Sequence, residues 1–177
     1  MWVAPVLALE DLTPDLVLVK NQNMKNRISA EEMENFTNLV VGSSELLVKE
    51  AARLFKPHGL SPGQFNVLHL LVLRGGALRP SEIASSLVVD PASTTYVLDG
   101  MVRKGWLERR SDPEDRRSHH VLLTKEGRAQ HDEVNAVYQE GLERLALALG
   151  GKQGLKESLE LLQRLPEALR MFASADK

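Results

Sequence analysis

The chain has no cysteine among its 177 residues. Disulfides, thiol redox sensing and thiolate-ligated zinc are therefore excluded, and the composition suits a reducing, cytoplasmic setting. Aromatic residues make up only 5%, whereas Leu, Ala and Glu are plentiful, so helices are expected to dominate. No long hydrophobic run is present. The apolar start, residues 1–19, lacks a basic flank and is interrupted by Pro5, Glu10, Asp11, Pro14 and Asp15, which argues against a signal peptide or a membrane span. No sign of charge prevails either: 22 Lys and Arg face 24 Asp and Glu, for a net charge of −2. Whole-chain charge thus gives no reason to expect nucleic acid. Any such surface must be local.

What is present is enough apolar material for a core, 43% hydrophobic beside 26% charged, in the range of a globular protein. Residues 1–28 read as an N-terminal extension ending in a polar linker. Ser29-Ala30-Glu31-Glu32 is a capping box, because Ser29 can satisfy a free helical N–H while Glu32 reaches back. The helix it opens runs to about Lys56, and Pro57 and Gly59 end it. Its broad apolar stripe, which includes Met33, Phe36, Val40, Leu47, Ala51 and Leu54, needs more than one neighbour. Ser61-Pro62-Gly63-Gln64 starts a second helix, stopped by Gly75-Gly76. A short helix opens at Arg79-Pro80-Ser81-Glu82, Val88-Val89 makes a turn, and Asp90-Pro91-Ala92-Ser93 caps a helix to about Lys104. Trp106 to Arg110 and His119 to Leu123 then alternate as two strands around a polar turn, a β-hairpin. Thr124 caps a long helix to about Leu149. Gly150, Gly151 and Gly154 separate it from a last helix that carries Leu155, Leu159, Leu162, Leu165, Leu169 and Phe172, in which Pro166 predicts a kink or a nearby local irregularity.

Two short helices joined by a tight turn and followed by a hairpin match a winged helix-turn-helix. The second helix is the right length for a major groove about 12 Å wide, with Ser93, Thr95 and Tyr96 early and exposed. Thr94, with Val97, Leu98 and Met101, falls on its inner face. Arg109, Arg110, Arg116 and Arg117 stand at the two shoulders of the hairpin, where an arginine can enter a narrow minor groove. Asp115 is placed to hold a neighbouring guanidinium, and His119 and His120 add donors.

Residues 61–128 resemble the winged-helix core of MarR-family transcription regulators. The resemblance is carried by Gly105-Trp106-Leu107-Glu108-Arg109-Arg110-Ser111-Asp112-Pro113-Glu114-Asp115-Arg116-Arg117 and by Leu123-Thr124-Lys125-Glu126-Gly127, supported by Pro80-Ser81-Glu82-Ile83-Ala84 and Ser93-Thr94-Thr95. It implies a mainly α fold with a small β-hairpin wing. A DNA-binding region at 58–124 would be flanked by dimerisation helices at 29–57 and 125–177. It further implies an obligate homodimer on a pseudo-palindromic operator, a repressor released by a small aromatic or anionic effector. The DNA-facing set so implied is Ser93, Thr94, Thr95, Tyr96, Arg103, Lys104, Arg109, Arg110, Asp115, Arg116, Arg117 and His119. The chain departs from the pattern in carrying Tyr96 and Gly100 where relatives often have Arg, in its longer N-terminal arm, and in lacking the cysteine of peroxide-sensing members.

An effector is expected between the dimer helices and the winged lobe, with His58, Phe65 and His69 as candidates that combine apolar walls with polar edges. The five histidines show no H-x-x-x-H spacing, so neither metal nor cofactor is expected. No nucleophile elbow, phosphate loop, dinucleotide glycine run or zinc-protease helix occurs, so an enzyme is not expected. The alternative is a winged helix that binds protein rather than DNA.

Overall fold

A computed structural model describes residues 29–87, 91–111 and 119–173. The first helix, α1 (Ala30–Phe55), starts as the capping box predicts: Ser29 Oγ accepts from the Glu32 N–H at 3.1 Å, and the Glu32 carboxylate accepts from the Ser29 N–H at 2.7 Å. The bond from the Ser29 backbone holds the Glu32 carboxyl below its usual range. A single 3₁₀ turn, Lys56–His58, leads to α2 (Pro62–Leu73), whose reciprocal Ser61–Gln64 cap is also formed. There follow β1 (Ala77–Leu78), α3 (Pro80–Ser86), α4 (Pro91–Arg103), β2 (Leu107–Ser111), β3 (His119–Leu123), α5 (Lys125–Ala148) and α6 (Gly151–Ala173).

The strands form an antiparallel sheet in the order β1-β3-β2, with Arg109 opposite Val121 and Leu78 also opposite Val121. The sequence pattern predicts only the β2–β3 hairpin. β1 is two residues long, too short for a period of two to register. It is held because the β3 backbone needs partners on its second edge.

Around this sheet α1, α2, α3, α4 and α5 close one core. Phe55, Phe65, Leu68, Leu71, Ile83, Leu98, Met101, Val121 and Val134 are its largest fully buried side chains. Two glycines permit close approaches. At Gly127 a Cβ would lie 2.1 Å from the Trp106 carbonyl oxygen, and at Gly154 one would lie 1.6 Å from the Leu149 carbonyl oxygen. Gly154 is therefore not part of the break between the last two helices, contrary to expectation. It belongs to the first turn of α6, packed against the end of α5. Helix α6 runs on through Pro166, which removes one backbone donor without ending it.

The outer helices remain apolar where nothing covers them. Met33, Leu39, Val41, Leu46 and Leu47 of α1 and Leu159, Leu161, Leu162 and Leu169 of α6 are exposed, several by half or more. Among the described residues, no helix is long and apolar enough to cross a membrane.

Candidate nucleic-acid interface

α4 is anchored from below. Thr94, Leu98 and Met101 recur at spacings of four and three and are buried at 4%, 0% and 0% exposure, the stripe a helix needs to seat on a core. The opposite side carries Ala92, Ser93, Thr95 and Tyr96, all exposed, with Tyr96 at 77%. Thr94 therefore leaves the DNA-facing set: its place on the inner stripe outweighs its position between Ser93 and Thr95. What remains is a face of small hydroxyls and one phenol. Such a face admits close approach to base edges, where Ser and Thr donate or accept.

The cations divide by what already holds them. Arg103 is exposed in the last turn of α4. Lys104 donates from Nζ to the Gly59 carbonyl at 2.9 Å and lies 4.2 Å from the centre of the Trp106 ring. It thus fastens the end of α4 to the turn before α2, an anchoring role the sequence did not reveal. The Arg109 Nη2 meets the Asp99 Oδ1 at 2.5 Å, joining β2 to α4, and the Arg110 Nη2 meets the Glu108 Oε1 at 2.8 Å. Both pairs are partly exposed, so each contributes little stability, about 0–1 kcal/mol. Their effect is to fix where two guanidinium groups stand. His119 is half-buried at the start of β3. Asp115, Arg116 and Arg117, with the rest of the hairpin tip and the Val88-Val89 turn, lie outside the described residues, as does the N-terminal arm.

The wing is tied to α5 at one knot. The Trp106 carbonyl accepts from the Thr124 N–H at 3.1 Å and from Thr124 Oγ1 at 3.0 Å, while the same Oγ1 accepts from the Gly127 N–H at 3.0 Å and caps α5. The Leu-Thr-x-x-Gly run thus sets the angle between the sheet and the long helix.

The three effector candidates separate. Phe65 is 1% exposed, enclosed by the rings of Phe55, Tyr138, His69 and His131, and so offers no wall to a ligand. His58 Nδ1 lies 2.7 Å from the Glu133 Oε1, and His69 Nδ1 lies 3.0 Å from the His131 Nε2. Burial, and then the charge of His131, lower the His69 pKa. His131 was missed in the sequence. It falls on the stripe Gly127, His131, Val134, Tyr138, at steps of four, three and four, which marks the inner face of α5. No cluster of three or more His or carboxylate groups suited to a metal occurs among the described residues.

Comparison with known proteins agrees with this geometry. The MarR family model matches residues 60–119. The chain is 32% identical to the HTH-type transcriptional regulator YkoM of Bacillus subtilis, over 65% of this chain and 76% of that protein. It is 34% identical to the HTH-type transcriptional repressor YetL of the same organism, over 56% of this chain and 66% of that protein. Its fold superposes with a TM-score of 0.69 on a MarR mutant from E. coli complexed with operator DNA, at 24% identity, covering 78% of this chain and 99% of that one. With a mainly helical fold, a small antiparallel wing, and flanking N- and C-terminal helices, the chain belongs to the MarR family of DNA-binding transcriptional regulators, which are not enzymes.

Proposed function

We propose that the chain acts as a homodimeric repressor in the cytoplasm, occupying a pseudo-palindromic operator until a small molecule releases it. The observation that carries this reading is the two-sidedness of α4: an inner stripe sealed in the core and an outer face of Ser93, Thr95 and Tyr96 left to solvent. A helix seated so firmly presents its outer side chains as a rigid probe, which sequence reading requires. The repressor role is supported by the YetL likeness.

Dimerisation is supported by the uncovered apolar faces of α1 and α6, since contiguous exposed hydrophobic surface of this kind marks an association site. In this reading residues 29–57 and 125–177 form the shared base, and 58–124 form each reading lobe. Arg103 and the wing supply phosphate and minor-groove contacts, with Arg116 and Arg117 at the tip on the strength of the sequence. An aromatic or anionic effector at the seam of α2 and α5 would meet polar edges from His58 and His69, and their contacts there support this reading.

Selection of bound duplexes from random DNA tests the reading. An inverted repeat is expected, its half-sites about 34–36 Å apart, one helical turn. Enrichment of no sequence, or of an asymmetric one, would contradict it.

A second reading is favoured by the ion pairs. Arg109 and Arg110 already face carboxylates, and Gly100 brings no cation to α4, as a protein-binding winged helix would have it. Salt separates the two. DNA binding loses affinity with a log–log slope near −0.9 for each neutralised phosphate, whereas a protein-binding surface shows no such slope on any duplex.

A further inference from the structure

His69 on α2 and His131 on α5 meet across the seam between the reading lobe and the long helix. The His131 side chain is 3% exposed. Its ring lies almost parallel to that of Phe65, at 7° and 5.8 Å, and the His69 ring stacks on the same phenyl at 5.6 Å. His131 Nδ1 is 2.8 Å from the Asp132 Oδ1, and His131 Nε2 is 3.0 Å from the His69 Nδ1.

These contacts fix the protons. A carboxylate only accepts, so His131 Nδ1 carries a hydrogen and donates it to Asp132. With both rings neutral, His131 Nε2 is then a lone pair, and His69 must donate to it from Nδ1. One proton can be added at the outer Nε2 of His69 with the contact intact. A second would place N–H groups on both facing nitrogens and force them apart.

Among the described residues, the ionisable groups beside the pair include Asp132, held by His131, and Glu133 and Tyr138 on α5, with His58 in the turn after α1. Glu133 is engaged with His58, and burial pushes the Tyr138 hydroxyl up, keeping it neutral. From α1, α4 and β3 the same core receives Ala51, Phe55, Leu98, Met101 and Val121, none of them ionisable. Little in this surrounding offsets positive charge on His69.

We propose that the His69–His131 pair is a proton-operated joint: closed and competent for DNA when neutral, opened on acidification so that the lobe loses its fixed angle to α5 and operator affinity falls. The functional half rests on the operator reading above. The direction follows from linkage. Folded His69 binds a proton less readily than an unfolded histidine, so the closed state is fully stabilised above the ordinary histidine value of about 6.5 and loses that stability as pH falls below it.

Two measurements on the full chain test this. Long-range ¹H–¹⁵N spectra of the histidine rings are expected to show Nδ1–H tautomers for both residues near neutrality, with His69 taking up its proton below the ordinary histidine range. Nε2–H tautomers, or a His69 ring that protonates as readily as a free histidine, would overturn the joint. In the second measurement, affinity for a duplex selected from random DNA is followed from about pH 8 to about pH 5 in the wild type and in His69→Asn, whose amide still donates to His131 but cannot titrate. The wild-type curve is expected to be steeper by up to about one log unit per pH unit below about pH 6.5, roughly a tenfold extra loss. Parallel curves would refute coupling to DNA. His131→Gln, whose oxygen accepts in place of Nε2, repeats the comparison if His69→Asn fails to fold. Failure to bind any duplex at neutral pH would sink the operator reading and the functional half with it, while the ring titration would still decide the joint.

Discussion

Substituting Gly127 by alanine sets two effects of opposite sign against each other. By helix propensity alone, Gly→Ala inside α5 stabilises by about 1 kcal/mol. The structure predicts the reverse. The new Cβ would sit 2.1 Å from the Trp106 carbonyl oxygen and 2.9 Å from the Leu123 Cδ1, when non-bonded heavy atoms rest at about 3.5 Å or more. The chain must give by roughly 1 Å or more, and the nearer obstacle is backbone that cannot rotate away. That carbonyl is the acceptor for the Thr124 N–H and Thr124 Oγ1, and Thr124 Oγ1 is the cap of α5. Separating the strand from the helix start costs the cap, about 1 kcal/mol, and one or two hydrogen bonds at about 1 kcal/mol each, or comparable overpacking strain. After subtracting the propensity gain, the net loss is about 1–2 kcal/mol. At about 2–4 °C per kcal/mol for a chain of this size, Gly127→Ala should melt roughly 2–8 °C lower by circular dichroism, both proteins being compared at one concentration because association contributes to the midpoint. A variant as stable as the wild type, or more so, would refute the claim that the Leu-Thr-x-x-Gly run is there for this close approach.

Other expected outcomes test the remaining parts. Leu39→Asp combined with Leu162→Asp, both exposed in the protomer, should convert a dimer into monomer in light scattering with little loss of the winged lobe's fold. An unchanged dimer would show that other surfaces make it. Arg116→Ala or Arg117→Ala, chosen on sequence grounds, should weaken operator binding strongly while leaving the melting temperature unmoved, and equal gel-shift affinity in both would remove the wing tip from the interface. A Cβ at Gly100 meets only the Arg103 guanidinium, at 3.8 Å, so Gly100→Arg should fold normally and steepen the salt dependence of DNA binding by about 0.9 for the phosphate it gains. An unchanged slope would mean that this side of α4 faces away from the backbone.

Most of the frame was legible because it is written in local chemistry. Ser29 with Glu32, Ser61 with Gln64, and Thr124 mark helix starts by bonds that reach only three residues, and the structure forms all of them. The strand β3 was readable to its ends. Where reading failed, the deciding partner was distant in sequence. β1 exists because β3 has a free edge. Gly154 packs against the preceding helix end from inside the next helix instead of lying in the break between them. Lys104 reads as a free cation until its contact with Gly59, 45 residues away, is seen. Thr94 sits between two exposed neighbours and was readable either as part of the probe or as part of the stripe beneath it. His131 needed its stripe on α5 traced as well as the pairing of α5 with α2.

Repression in this form requires the outer face of α4 to read base edges. Selection from random duplex DNA, repeated with Thr95→Val and with Tyr96→Ala, measures this. The preferred bases are expected to change at a few symmetric positions within each half-site while the inverted repeat and its spacing persist. Identical selected sequences from the wild type and both variants would contradict it.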